Sequence, residues 1–310
     1  MNCKNILKNW GLKFLGVGLL ILILTKTNIG EIFKTVKQFN AFQILWIEIL
    51  SLLIILSKSI RFKNILSLYN VTVSLQENIL IYGSGMYLST ITPGRLGDFS
   101  KIFYLKHYTG CDYKKGLYIN ILDRLFDLTI LLLTSLIGLF WLISPQKLLI
   151  PFAILIVLVS FIILFGKQLL KMILTKMLNV FKKRFNISIN EINISKILNI
   201  KLVIPLLITI IPYALIYYQM IYISKITGFT INPFLLIGTL AIGNVFSLIP
   251  VSISGLGTRE AVFVTLLSKA GLSATQAISL SLSFFLLNNF GIMVIGFIMF
   301  LILKPKFRNA

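Results

Sequence analysis

Two short runs bring arginine, an acid and glycine together in a pattern suited to anion recognition. They are Thr92-Pro93-Gly94-Arg95-Leu96-Gly97-Asp98 and Pro250-Val251-Ser252-Ile253-Ser254-Gly255-Leu256-Gly257-Thr258-Arg259-Glu260. Each interrupts an apolar stretch, so each reads as two half-helices around a break. The first turn of the helix after a break presents unpaired N–H groups and the positive end of its dipole, and both favour an anion. Arg95 and Arg259 stand beside those turns. A guanidinium can grip two phosphate oxygens at once and keeps its charge when partly dehydrated. Arg95, Arg259 and the backbone of Gly94, Gly97, Gly255 and Gly257 are therefore the candidate phosphate-binding groups. Asp98 and Glu260 can orient the arginines or cap the half-helices. A competing reading makes Arg95–Asp98 and Arg259–Glu260 internal salt bridges with no ligand, since a charge at mid-bilayer costs about 2.5–3.5 kcal/mol on insertion scales.

A third cluster is Asp123-Arg124-Leu125-Phe126-Asp127. Its acids, at i and i+4, share one helix face and can clamp a cation or an arginine from another element, or pass protons. A buried ion-pair network that locks this segment to a hairpin is an equally good reading. Cys3 and Cys111 lie in no CxxC motif and His107 has no second imidazole nearby, so neither metal nor thiol chemistry is expected, and no cofactor. Glu48 is an isolated acid near Ser51, for which a hydrogen bond into the bundle is expected. Tyr82, Tyr87, Tyr213, Tyr217 and Tyr218 read as core or interface aromatics. Asn288-Asn289 is expected to hydrogen-bond the second broken stretch.

What must position these groups is a membrane-embedded helical bundle. Of 310 residues, 57% are apolar and 13% charged, with a mean hydropathy of +0.93. This is an integral membrane composition. Six runs approach the roughly 20 residues needed to cross the hydrocarbon: Trp10–Thr25, Ala41–Ser57, Gly116–Ile143, Leu148–Gly166, Leu202–Ser224 and Ala274–Leu303. The broken stretches are Ile79–Leu105 and Pro233–Leu267. The formal charge of +21 comes from bases between apolar runs, so it reads as topology and headgroup contact, with no nucleic-acid partner. If each broken stretch is re-entrant, most bases fall on one side: Lys4 and Lys8, a 58–63 loop with Lys58, Arg61 and Lys63, Lys106 to Lys115, the Lys167–Lys201 loop and the C-terminus. That puts both termini in the cytoplasm, with the 167–201 loop suited to anionic lipid. The motifs Asn186-Ile187-Ser188 and Asn193-Ile194-Ser195 then face the wrong side for glycosylation. The fold expected is an all-α polytopic membrane protein with six full spans and two broken re-entrant hairpins. It forms one domain, 1–310, of inverted repeats near 1–146 and 147–310. Gly85 matches Gly243, Pro93 matches Pro250 and Arg95 matches Arg259. Such repeats point to a site near the midplane.

In this order, Pro93 to Lys101, Asp123 to Asp127 and Ser254 to Ala261 resemble the motifs of the lysylphosphatidylglycerol synthase transmembrane-domain family, also called flippase-like. The likeness covers nearly the whole chain, with Asp98 and Asp123 where many members carry Glu. It implies a polytopic domain that, in the fused synthases, moves aminoacylated phosphatidylglycerol between leaflets of the cell membrane. The soluble aminoacyl-transferase domain is not in this sequence, so lipid synthesis is not expected. The leading expectation is a lipid translocase without an ATP-binding P-loop, acting on an anionic phospholipid or polyprenyl phosphate. Its movement is then downhill or ion-coupled, with Asp98, Asp123, Asp127 or Glu260 as coupling groups and Arg124 beside them. The alternatives are a membrane-embedded polyprenyl-phosphate transferase and a scaffold for a lipid-modifying enzyme partner.

Overall fold

The computed structural model describes residues 30, 34, 35, 37–142, 202–249, 252 and 254–303. All regular structure among them is helical. The chain up to Leu142 and from Pro205 onwards forms one compact unit, and residues 143–204, nearly all outside the described residues, form another. The expected spans Trp10–Thr25 and Leu148–Gly166 and the Lys167–Lys201 loop lie outside the described residues.

Helix α1, Ala41–Leu68, begins at a capping box in which Asn40 accepts from the Gln43 amide and Gln43 accepts from the Asn40 amide. This satisfies two donors that an apolar run cannot satisfy itself. It ends where Asn70 turns left-handed (φ 53°). The expected 58–63 loop is not a loop: α1 continues through it. Lys58 and Arg61 are buried in its second half, so they anchor the fold from inside and do not mark a membrane surface.

Helix α2, Leu75–Ile91, starts from a Ser74–Glu77 capping box. Pro93 follows the break at Thr92, where a helix cannot accommodate the residue before proline. A 3₁₀ turn, Leu96–Phe99, leads into α3, Ser100–Thr109, and α4 runs from Tyr113 to Leu142. The chain resumes with α5, Val203–Ile208, and α6, Ile210–Ile226. They part at Thr209, where Pro212 has no N–H for the carbonyl of residue 208. Helix α7 is Pro233–Phe246 and α8 is Thr258–Leu267. The last span consists of α9, Ala274–Phe284, a π turn over Phe285–Asn289, and α10, Phe290–Ile302.

Three helical stretches are long and apolar enough to cross a membrane: Ala41–Leu68, Val203–Ile226 and Ala274–Ile302. They coincide with three of the six expected spans, and α4 covers nearly all of a fourth.

Glycine sets the closest packing. The two most extensive interfaces among the described residues join α4 to α7 and α2 to α10. At the first, Gly138 and Gly238 touch backbone to backbone, and a Cβ built on Gly238 would lie 2.0 Å from the Gly138 Cα. At the second, a Cβ on Gly296 would lie 2.6 Å from the Gly83 carbonyl oxygen. Small residues permit this approach, which dispersion then rewards where lipid supplies no hydrophobic drive between helices. Gly238→Ala is therefore expected to destabilise the protein by about 1–3 kcal/mol, read as a lowered unfolding midpoint in detergent. Gly116→Ala, whose Cβ would come no closer to a neighbour than 3.2 Å, at an Ile102 side-chain carbon, is expected to change that midpoint little.

Candidate functional site

Buried charge concentrates where α1, α2, α3 and α4 meet. Arg61 of α1, fully buried, donates from Nε to Asp123 Oδ1 at 2.9 Å and from Nη1 to Asp127 Oδ1 at 2.7 Å. It also reaches the Tyr82 hydroxyl at 3.3 Å and Thr209 Oγ1 at 3.4 Å. Tyr82 in turn donates to Asp123 Oδ2 at 3.2 Å. Lys58, one turn earlier on α1, holds both oxygens of Asp127 at 3.2 Å and lies over the Tyr213 ring. Spacings of i, i+3 on α1 and i, i+4 on α4 place two cations opposite two acids.

The network extends into the first break. Lys101 of α3 bridges Asp98 at 2.9 Å and Asp123 at 3.1 Å, over the faces of Phe62 and Tyr82. Gly85 on α2 makes room for its stem, since a Cβ there would meet Lys101 Cγ at 2.6 Å. Arg124 forks onto Asp98, with Nε to Oδ2 at 2.7 Å and Nη2 to Oδ1 at 2.5 Å. Four cations, Lys58, Arg61, Lys101 and Arg124, thus share three carboxylates, leaving an excess of one positive charge.

Arg95 adds a second. It stands in the left-handed region (φ 56°, ψ 29°) directly after left-handed Gly94, a conformation that costs a non-glycine residue about 1–3 kcal/mol. Asp98, the partner one reading gives it, is taken by Lys101 and Arg124. The Arg95 guanidinium makes no ion pair or hydrogen bond with any described residue, although the charges of Arg124, Asp127 and Arg259 act on it from a distance. Arg95 is partly buried and Arg124 keeps 24% of its side chain exposed.

The second break is closed upon itself. Arg259 donates from Nε to Ser281 at 2.9 Å and from Nη2 to Glu260 at 2.9 Å, and Ser281 donates to Glu260 at 2.7 Å. Glu260 also accepts the Gly257 N–H at 2.6 Å, which caps α8. Arg259 is 1% exposed, lies over the Phe285 ring, and rests its stem on Gly243, where a Cβ would come within 2.8 Å. The Arg259–Glu260 salt bridge is thus formed, whereas the Arg95–Asp98 one is not.

The glycine donors divide likewise. Gly97 N–H is taken by Thr92 Oγ1 at 2.6 Å and Gly257 N–H by Glu260, while Gly94 and Gly255 find no acceptor among the described residues. Asn288 does not reach the second break: it donates to Gln219 Oε1 on α6, because the π turn aims it at that helix. The Cys111 thiol, in the α3–α4 connection, is pushed up from its ordinary value by burial, which leaves it a poor nucleophile. No group of three metal-ligating side chains occurs among the described residues.

Sequence reasoning missed Lys58, Arg61, Lys101 and Tyr82 as members of the cluster. A signal for two of them was present: the spacing of Lys58 and Arg61 complements that of Asp123 and Asp127.

The chain belongs to the family of the lysylphosphatidylglycerol synthase TM region, whose profile matches residues 10–296. No curated protein matches it. Membership and helix composition together make this a membrane protein of a lipid-related family.

The ion network generates a contrast in stability. Asp123→Asn leaves Arg61 and Lys101 short of a buried counter-charge and is expected to cost about 3–5 kcal/mol. Arg95→Ala breaks no ion pair and is expected to leave stability unchanged or slightly raised. Denaturation of both variants in mixed micelles checks this.

Proposed function

We propose that this protein is a lipid translocase of the cell membrane, in which Arg95, assisted by Arg124, receives the phosphate of an anionic lipid while the hydrocarbon chains remain in the bilayer. The observation that carries the reading is the surplus of positive charge around Arg95, which meets no counter-charge among the described residues and stands beside a cluster whose four cations share three carboxylates. An unpaired cation in low dielectric is costly, and a phosphate supplies the missing counter-charge. Arg259 enters such a site only after exchanging Glu260 for the phosphate, so it suits a later station better than the first.

Internal symmetry supports alternating access. Helices α3 and α8 each have ten residues, beginning at Ser100 and at Thr258, 158 positions apart. The same displacement relates the caps Ser74 and Asn232. It also relates Gly85 under Lys101 to Gly243 under Arg259, and the Lys101–Asp123 bond to the Arg259–Ser281 bond. Crossing contacts exchange as well: Arg61 bonds Thr209, and Gln219 bonds Ser51. We read this as an inverted repeat, with six full spans and two re-entrant hairpins, and both termini in the cytoplasm. Each hairpin's first arm, α2 or α7, packs on the closing span of the other repeat. This arrangement suits a site exposed first to one face and then to the other.

Chemistry on the lipid fits less well. The acids at the breaks are saturated by cations and amide donors, which leaves none of them placed as a general base.

Movement of fluorescent phosphatidylglycerol between leaflets of proteoliposomes containing the full chain tests the reading. The protein is expected to accelerate exchange, and Arg95→Ala to lower the rate at least tenfold, about 1.4 kcal/mol or more in the barrier. Normal exchange by folded Arg95→Ala protein contradicts the proposal.

A further inference from the structure

Asp98, Asp123, Asp127 and Glu260, the acids first considered for ion coupling, are all fixed in ion pairs, so a carrier of protons has to be sought elsewhere. One acid differs. Glu48 lies about two turns into α1 and, among the described residues, has no hydrogen bond and no ion pair. Its carboxyl is pressed on the bare backbone of Gly291, where a Cβ would fall 2.1 Å from Oε2 and 2.5 Å from Oε1. Gly291 follows directly on the π turn and Phe290, and it offers the carboxyl only a Cα–H surface.

The surroundings of Glu48 are polar and neutral. One turn on, Ser51 accepts from Gln219 Nε2 at 3.1 Å, and Gln219 also donates to the Ile47 carbonyl at 2.8 Å. Gln219 Oε1 accepts from Asn288. The buried Nδ2 of Asn289 has no acceptor. The π turn and α10 carry no charged residue. The charged residues on the other helices packed against α1 are Lys225 on α6, Glu77 on α2, and Lys114, Lys115, Asp123, Arg124 and Asp127 on α4, and none pairs with Glu48. Lys58, the nearest cation along α1 that is committed to the network, is about 15 Å away. An ionised Glu48 would be a half-buried charge without compensation, whereas a protonated one fits this patch.

We propose that Glu48 is the proton-carrying residue of the protein, taking up a proton in one state and releasing it to water in the other. This rests on the translocase reading. An anionic phosphate crossing together with one proton moves no net charge, which removes the electrical barrier to its passage. The step is a proton transfer between water and the Glu48 carboxyl, with no covalent change in the lipid.

The test is the leaflet distribution of fluorescent phosphatidylglycerol in proteoliposomes with the full chain, at equal pH and with a difference of one unit. One proton per lipid predicts a steady-state ratio shifted by up to about tenfold per pH unit in the native protein. Glu48→Gln, which can neither take up nor release a proton, is expected to show no shift with the gradient. A shift persisting in Glu48→Gln, or native exchange indifferent to the gradient, overturns the proposal. Labelling of the native protein with a hydrophobic carbodiimide, which attacks protonated carboxyls, separates this from failure of the translocase reading. Glu48 is expected to be modified increasingly as pH falls, whether or not lipid moves, and an unmodified Glu48 at low pH contradicts its assignment.

Discussion

The constraint on which the rest depends is that a charge withdrawn from water must be met by another charge. Arg61 shows how strictly the chain obeys it. Its guanidinium is buried completely and is met by Asp123, Asp127, Tyr82 and Thr209, groups from α2, α4 and the junction of α5 and α6. Lys58 and Lys101 extend the same cluster to α1 and α3. Because breaking one member leaves another unpaired, the cluster fixes these helices relative to one another as a hydrophobic contact could not. Such rigidity is what a break in a helix needs. Residues Thr92 to Arg95 hold non-helical backbone beside apolar helices, and the break keeps its shape because Asp98 is pinned by Lys101 and Arg124 while Thr92 takes the Gly97 amide.

Against that background the departures carry meaning. Among the described residues, Arg95 is held in a left-handed conformation without a partner, and Glu48 faces a glycine without a cation. On the proposed reading each awaits what a mobile ion brings: a phosphate for one, a proton for the other. The buried ion network is the scaffold, and the proposals above rest on these two exceptions to it.

Much of this is legible in sequence because membrane helices are written in long apolar runs and their breaks in Pro and Gly. The ends of α4, of α5 and α6 taken together and of the last span lie within a few residues of those read from hydropathy, and both breaks fall at their glycine motifs. Hydropathy fails where a helix carries charge inside. Lys58, Arg61 and Lys63 look like a cytoplasmic flank, so α1 reads as ending at Ser57 although it runs to Leu68. The compensating acids lie more than 60 positions away, beyond any local pattern. Arg95 and Asp98 suffered the converse error of proximity: three positions apart, they invite pairing, but the left-handed turn at Arg95 separates them, and Asp98 goes to Arg124. The Asn288 contact was hidden because a π turn shifts the register of a helix without leaving a mark in its composition.

The most direct measurement of the central claim is whether a lipid phosphate sits on Arg95. Protein with ¹⁵N-labelled arginine, reconstituted in phosphatidylglycerol, allows ³¹P–¹⁵N dipolar couplings to be measured by solid-state magnetic resonance. The account predicts a guanidinium–phosphorus contact at the distance of a charge-assisted hydrogen bond, about 4 Å from nitrogen to phosphorus, that disappears in Arg95→Lys while the remaining arginine signals are preserved. A coupling that survives that substitution unchanged, or no coupling to a buried arginine, would contradict it.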